Sequence, residues 1–124
     1  MNRAEAAYDR EVTDALVRID DASCRRFTLA LELVGKRWSG AVLLALGRGA
    51  DRFSTVLRTV PGLSDRLLAA RLKELETHGL VVRTVVPTTP VQVRYALSDA
   101  GRDLLGALQP LVEFGDRMVR EQAR

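Results

Sequence analysis

The sequence is poor in cysteine and histidine, the side chains that most often bind transition metals. It contains one cysteine, Cys24, and one histidine, His78. A single cysteine excludes a disulfide within the chain and a zinc site built from several thiolates. His78 lies at the end of a predicted helix, where a histidine side chain suits the helix dipole, and no other ligands surround it. We therefore expect no metal and no other cofactor, and we assign His78 a structural role.

Long apolar runs are also missing. No stretch approaches the roughly 20 consecutive apolar residues that span a bilayer. The first residues, MNRAEAAYDREVTD, lack the apolar centre of a secretory signal. The chain has 124 residues, of which 47% are hydrophobic and 28% charged, as is typical of one globular domain. We expect a cytoplasmic protein with no membrane partner.

The motifs of common enzymes are absent as well. The chain has no nucleophile elbow, no phosphate-binding glycine loop after a strand, no His-Glu pair on a helix and no clustered carboxylates. An enzyme is therefore the function class that the sequence supports least.

Lysine is scarce, since Lys36 and Lys73 are the only lysines among 19 cationic residues. Arginine binds phosphate groups through a bidentate fork, so this composition suits a protein that binds nucleic acid. A high arginine content also follows from the base composition of a genome, so composition alone does not decide the function.

The most informative stretch is residues 61–80, PGLSDRLLAARLKELETHGL. Its first two residues, proline and glycine, predict a turn. Ser64 is expected to cap the N-terminus of a helix, and Gly79 is expected to end it.

This helix has two different faces when its residues are placed about 100° apart. One face carries Leu68, Leu72 and Leu75. The other carries Arg66, Ala69, Ala70, Lys73 and Thr77. Small residues between two cations would let the second face press against a polyanion, although an ordinary solvated helix has the same pattern.

The neighbouring segments complete a winged helix-turn-helix pattern. A helix predicted over residues 53–60 precedes the Pro-Gly turn, which joins two helices as in a helix-turn-helix. After Gly79 the pattern changes to two β segments, LVVRTVV and VQVRYAL, separated by PTTP. A hairpin that directly follows such a helix is a wing.

Helices are also predicted on the N-terminal side of this motif. Apolar side chains at helical spacing predict an amphipathic helix over residues 3–22, followed by a break at Asp20, Asp21 and Ser23. A short helix over residues 27–34 follows. Ser39 is expected to cap a central apolar helix, and Trp38 before it is interpreted as a core anchor rather than a platform for stacking bases.

The last predicted helix begins with Ser98 as its cap and has a broad apolar stripe. Pro110 lies within it, so we expect a kink or a restart there. The stripe is wider than one small core requires, which favours a dimer. The expected interface residues, from this helix and the first, are Tyr8, Val12, Leu16, Leu104, Leu108, Leu111, Phe114 and Met118.

Several motifs occur in a characteristic order. They are Cys24, GKRW from Gly35, RFS from Arg52, PGLS from Pro61, LKELE from Leu72, GLV from Gly79, VRYALS from Val93, and Gly101. In this order they resemble the HxlR-type winged-helix transcriptional regulators, relatives of the MarR group, over residues 24–118.

The resemblance implies a mostly helical α+β fold, a winged helix-turn-helix with flanking dimerisation helices. Residues 1–23 would form the N-terminal helix, 24–97 the DNA-binding domain and 98–124 the C-terminal dimerisation helix. It further implies a homodimer that binds a palindromic or pseudo-palindromic operator in double-stranded DNA, and we expect a repressor. A winged-helix module that binds an acidic protein instead is the alternative.

The resemblance also assigns roles to individual residues. Arg66 is expected to reach base edges, Lys73 the DNA backbone, and residues of the flanking elements the phosphates. The expected DNA-binding residues are Ser64, Arg66, Ala69, Ala70, Lys73, Lys36, Arg37, Arg52, Arg83, Arg94, Thr88 and Thr89. Arg71 lies toward the leucine face, so we expect it to pair with Glu74 or Glu76.

Cys24 has two interpretations. Some members of the family carry a thiol at this place that senses oxidants, and the adjacent Arg25 and Arg26 would attract a negatively charged thiolate. The other interpretation is a small, buried apolar residue at a helix start. A small-molecule effector is also compatible with the family, but the sequence identifies none.

Overall fold

The computed structural model describes residues 2–17 and 19–123, with no account of the side chains of residues 15–17. The described part forms six helices and two strands. In order they are α1 (Arg3–Val17), α2 (Asp21–Gly35), α3 (Ser39–Gly47), α4 (Phe53–Thr59), α5 (Asp65–Thr77), β1 (Val81–Val86), β2 (Gln92–Leu97) and α6 (Asp99–Gln122). This is the predicted mostly helical α+β class. The chain divides into two compact units, Met1–Lys36 and Arg37–Arg124.

The first unit corrects the predicted helix boundaries. Helix α1 ends at Val17 rather than at residue 22, and α2 begins at Asp21 rather than at residue 27. The cause is Asp20, whose Oδ1 accepts the Ser23 N–H at 2.7 Å and so caps α2. The same hydrogen bond lowers the pKa of the Asp20 carboxyl because it stabilises the charged form. Of the residues expected to form a break, Asp20 therefore caps α2, and Asp21 and Ser23 lie in its first turn.

The second unit is built around α3, as its apolar composition predicted. This helix packs against α4, α5, α6 and β2. A helix with neighbours on several sides needs no polar face, because little of it meets water. The buried apolar side chains are those of Val42, Leu43, Ala45, Leu46, Val56, Val60, Leu63, Leu68, Leu72, Leu75, Leu80, Val81 and Leu97.

The start of α3 differs from the prediction. Ser39 is the first residue of the helix and only 1% exposed, so its hydroxyl is not the cap. The N-cap is Trp38, whose φ of 79° places it in the left-handed region. Its ring lies over the turn at Gly62, where an added Cβ would stand 3.3 Å from Trp38 Cη2. Trp38 thus packs against the chain, in agreement with its interpretation as an anchor.

The helix-turn-helix and its boundaries are confirmed. Ser64 Oγ accepts the Leu67 N–H at 3.2 Å and caps α5. Gly62 and Gly79 have φ values of 87° and 73°, which glycine adopts without the steric cost of a side chain. The turn before α5 and the end of α5 therefore follow from local sequence.

The wing is also confirmed. Strands β1 and β2 pair antiparallel, with Val81 opposite Leu97 and Val86 opposite Gln92. At the tip, Thr88 Oγ1 donates to the carbonyl oxygen of Pro90 at 2.7 Å.

Helix α6 is continuous, which corrects the expectation of a restart at Pro110, while a kink there stays a prediction. The helix runs through this residue to Gln122. A proline removes one backbone donor, whereas the many other hydrogen bonds of a long helix are kept. Ser98 caps the helix as predicted, since its Oγ accepts the Gly101 N–H at 3.0 Å. No helix in the described residues is long and apolar enough to cross a membrane.

Candidate nucleic-acid interface

The exposed face of α5 is the centre of the candidate interface. Leu68, Leu72 and Leu75 are buried, as the helical spacing predicted. On the other side Arg66, Ala69, Ala70, Lys73 and Thr77 are exposed. The structure therefore places all five side chains of the predicted face in solvent.

The spacing of the two cations on this face suits a DNA groove. Arg66 lies in the first turn of α5, and Lys73 lies seven residues further on. At a rise of 1.5 Å per residue they are separated by about 10 Å along the helix axis. Between them Ala69 and Ala70 present one methyl group each. No long side chain at these two positions would therefore keep the helix away from the bases. A major groove about 12 Å wide accepts such a helix.

The N-terminus of α5 also faces solvent. Ser64 is exposed, and its oxygen is occupied by the Leu67 N–H. The hydroxyl proton of Ser64 can still donate to a phosphate, because capping uses the oxygen as an acceptor. Asp65 adds a negative charge that favours the helix dipole.

A depression connects α5 with the wing. It has a volume of about 340 Å³ and is lined by Phe53, Ala69, Leu72, Lys73, Glu76, Arg83 and Tyr95. Lys73 comes from α5 and Arg83 from β1, so the fold brings together two cations that are distant in sequence. Glu76 is the acid beside them.

The wing carries four of the predicted residues. Arg83 on β1 and both tip threonines, Thr88 and Thr89, are exposed. Arg94 on β2 is placed differently, because its Nη1 forms an ion pair with Asp51 Oδ2 and its Nη2 donates to Gln92 Oε1 at 3.3 Å.

Arg52 belongs to the same group of side chains. It is the N-cap residue of α4, and its Nη2 donates to Gln92 Oε1 at 3.1 Å. Nothing in the sequence pattern points to Asp51 or Gln92 as parts of this group. Asp51 and Arg94 are 43 residues apart, and helical or strand periodicity carries no information about such a contact.

The basic corner before α3 contains one cation that stacks on an aromatic ring. The guanidinium carbon of Arg37 lies 5.0 Å from the centroid of the Trp38 ring, a cation–π distance. Arg37 is nevertheless exposed, and so is Lys36, the C-cap residue of α2 in the first unit.

Arg71 has a structural role, as predicted. Its Nε donates to the carbonyl oxygen of Arg37 at 3.0 Å, and its Nη1 lies 3.5 Å from Glu74 Oε2. Arg71 thereby joins α5 to the segment before α3.

Cys24 is exposed in the first turn of α2. The interpretation as a buried apolar residue is therefore wrong. Next to it, Arg26 Nη2 donates to Ser23 Oγ at 3.3 Å.

The residues expected at a dimer interface are mostly in solvent. Tyr8 and Val12 on α1 and Leu111, Phe114 and Met118 on α6 are exposed. Leu104 and Leu108 are partly buried. Leu16 was also expected there, but its side chain lies outside the described residues.

The model of the HxlR-like helix-turn-helix family matches residues 33–123 of this sequence. The chain belongs to the HxlR-like family. The matched range includes the helix-turn-helix, the wing and all of α6.

Similar proteins support this assignment. The uncharacterized HTH-type transcriptional regulator YvaP of Bacillus subtilis strain 168 is 44% identical over 96 residues, which cover 77% of this chain and 89% of YvaP. The crystal structure of diamide-treated YodB from B. subtilis is 39% identical, with a TM-score of 0.66 over 74% of this chain and 91% of that one. The redox regulator HypR in its reduced form is 31% identical, with a TM-score of 0.71 over 78% of this chain and 98% of that one.

Proposed function

We propose that this HxlR-like protein is a cytoplasmic transcriptional repressor that binds a palindromic or pseudo-palindromic operator as a homodimer. The observation that carries the proposal is the exposed face of α5. It combines two cations, two small residues and a capped N-terminus on a helix whose other face is anchored by buried leucines.

In this proposal α5 lies in the major groove of double-stranded DNA. Arg66, in the first turn, reaches base edges, where arginine pairs with guanine O6 and N7. Lys73 contacts a backbone phosphate. Ser64 donates to another phosphate near the helix N-terminus, where the backbone dipole also favours an anion.

The wing extends the same surface. Arg83 and the tip threonines Thr88 and Thr89 are exposed on it, and they would contact the sugar-phosphate backbone or the minor groove. Arg52, Arg37 and Lys36 would add phosphate contacts that fix position without reading sequence. Arg94 is engaged with Asp51, so we propose an indirect contribution for it below.

The proposal of a homodimer rests on the apolar surface of α6. Leu111, Phe114 and Met118 recur at intervals of three and four residues and are all exposed. Burying apolar surface yields about 25 cal/mol per Å², so a second copy would gain by covering this stripe. A dimer with twofold symmetry would place two α5 helices on half-sites about one helical turn apart.

Selection of bound sequences from a random duplex pool tests the DNA-binding proposal. The purified protein at near-physiological salt should recover an inverted repeat. Binding that shows no sequence preference would contradict the proposal. It would favour the alternative function, a winged-helix module that binds an acidic protein.

Sedimentation equilibrium tests the proposed dimer separately. Leu111→Glu places a charge in the apolar stripe and should give a monomer. Gln109→Glu adds the same charge on another side of α6 and should leave the dimer intact. A wild-type chain that sediments as a monomer at concentrations that saturate DNA would contradict the dimer.

A second proposal concerns regulation by oxidants, and the exposure of Cys24 favours it. Two similar structures are those of diamide-treated YodB and of the redox regulator HypR. Because the chain has one cysteine, Cys24 would form a disulfide with the second copy or with a small thiol. The two thiols would lose two protons and two electrons to an oxidant such as diamide.

A further inference from the structure

Four side chains join the loop before α4 to strand β2, and we call them the wing-anchor cluster: Asp51, Arg52, Gln92 and Arg94. Asp51 holds β2 at two points. Its carbonyl oxygen accepts the Tyr95 N–H at 2.8 Å, and its carboxylate pairs with the Arg94 guanidinium.

Gln92 closes the network from the other side. Its Oε1 accepts from Arg52 at 3.1 Å and from Arg94 at 3.3 Å. Gln92 and Arg94 lie two residues apart on β2, so their side chains leave the same face of the hairpin. The N-cap residue of α4 is thus tied to the wing through one amide oxygen that two guanidinium groups share.

The cluster contributes more to the orientation of the wing than to the free energy of unfolding. The side chains of Arg94 and Asp51 are 43% and 48% exposed, and ion pairs this accessible to water add little to the free energy of unfolding. A two-stranded hairpin is only marginally stable by itself, so contacts along β2 help to fix its direction. The wing-anchor cluster supplies such contacts between β2 and the start of α4.

We propose that Asp51 is a positioning residue for DNA binding. By holding Arg94 and the backbone of Tyr95 it fixes the direction of the wing relative to α4. The wing then reaches the DNA backbone when α5 lies in the groove. This inference rests on the proposed function and adds to it an acidic residue that promotes the binding of a polyanion.

The direction in which Asp51→Ala changes the affinity for DNA distinguishes a positioning role from a general effect of charge. Asp51 carries a negative charge close to a surface that would meet phosphates. If charge alone mattered, Asp51→Ala would tighten DNA binding and would release Arg94 for a phosphate. The positioning role predicts the opposite. Asp51→Ala keeps the carbonyl oxygen that accepts the Tyr95 N–H but loses the carboxylate that holds Arg94, so the loosened wing must be ordered again on binding.

The first experiment is a double-mutant cycle on the selected duplex, with Asp51→Ala, Arg94→Ala and the double variant. We expect Asp51→Ala to weaken binding by about threefold or more, and to have a smaller effect once Arg94 is alanine. Asp103→Ala removes the same charge from an exposed position on α6 and should not weaken binding. Unchanged or tighter binding by Asp51→Ala, or losses that add fully, would overturn the proposal.

The second experiment needs no DNA, so its result is independent of the proposed function. Hydrogen exchange of the free protein should be faster in Asp51→Ala at the Tyr95 amide and its neighbours in β1 and β2. Exchange in α5 should stay the same. Unchanged exchange in the wing would overturn the positioning role, and circular dichroism would verify that the variant is folded.

Asp51→Asn provides a second variant of nearly the same shape. It keeps an oxygen that can accept from Arg94 but lacks the charge. We expect it to weaken binding less than Asp51→Ala does, since the network is partly kept. A wild-type protein that binds no duplex, with wing exchange still dependent on Asp51, would refute the proposed function and leave the structural role of the cluster standing.

Discussion

Gly101, in the first turn of α6, lies directly against the carbonyl oxygen of Leu80, which immediately precedes β1. A Cβ on Gly101 would collide with that oxygen and would stand 3.3 Å from Leu97 Cδ2. The same oxygen accepts the Ser98 N–H at 3.0 Å, and Ser98 Oγ donates to the carbonyl oxygen of Gly79 at 2.6 Å. These contacts hold the start of α6 against the segment that joins α5 to the wing.

Replacement of Gly101 should therefore destabilise the fold. We expect Gly101→Ala to lower the free energy of unfolding by about 1–3 kcal/mol, the usual cost of forcing atoms into a packed site. Gly106→Ala in the same helix meets no atom within 4 Å and should be stabilising by about 0.5–1 kcal/mol through helix propensity. Urea denaturation of both variants checks this. Equal effects would show that the contact at Leu80 relaxes without cost.

The cap of α5 can be separated from its proposed phosphate contact. Ser64→Ala removes the acceptor for the Leu67 N–H and should cost about 1 kcal/mol of unfolding free energy. Ser64→Asp keeps an acceptor and should retain most of the stability. Its negative charge would repel a phosphate, so its DNA binding should nevertheless fall. Normal DNA binding by Ser64→Asp would remove Ser64 from the interface.

Arg66 and Lys73 should differ in the kind of binding that they support. Arg66→Ala should weaken operator binding by about 1–3 kcal/mol and relax selectivity at one base pair. Lys73→Ala should weaken specific and random duplexes alike and reduce the slope of log K against log salt by about 1. Fluorescence anisotropy at several salt concentrations measures both effects.

The control for these two substitutions is Arg102→Ala. Arg102 is an exposed arginine in the first turns of α6, where it pairs with Asp99 at 2.9 Å. Its loss should leave DNA binding nearly unchanged. If Arg66→Ala weakened specific and random duplexes equally, the base-reading role of Arg66 would be wrong.

Oxidation should act through Cys24 alone. Diamide should produce a covalent dimer on non-reducing electrophoresis, or a mixed disulfide when a small thiol is present, and should change operator affinity. Reductant should reverse both changes, and Cys24→Ser should show neither. A change of affinity that persists in Cys24→Ser would place the sensing elsewhere, and unchanged affinity after full modification would end the proposal.

The parts of the fold that depend on neighbouring residues were predictable from the sequence. The leucine spacing of α5 defines its buried face, and Ser64, Gly79 and Ser98 mark helix ends through hydrogen bonds or φ values that involve nearby backbone. The exposed DNA-facing candidates on α5 followed directly. Their exposure follows once the opposite face of α5, which carries the leucines, is buried in the core.

The features that the sequence pattern does not predict correctly have three different causes. The sequence places Asp20 in a break, because the residues that cap helices also favour turns. Trp38 gave no sign of a left-handed conformation, which is uncommon for bulky residues. The ion pair between Asp51 and Arg94 depends on the assembled fold, so local patterns could not reveal it.

The contact between Trp38 and Gly62 links two positions that are far apart in the chain. Cη2 in the six-membered part of the indole ring would lie 3.3 Å from a Cβ at position 62, which is a tight contact. Any larger residue at 62 also has to accept a φ of 87°.

In a library that randomises both positions, folded clones should therefore keep glycine at 62 wherever tryptophan is kept at 38. Clones that lose the tryptophan should tolerate asparagine or aspartate at 62, residues that enter this region of φ more readily than others. The two positions would then behave as one inherited unit, and the start of α3 and the turn of the helix-turn-helix would evolve together.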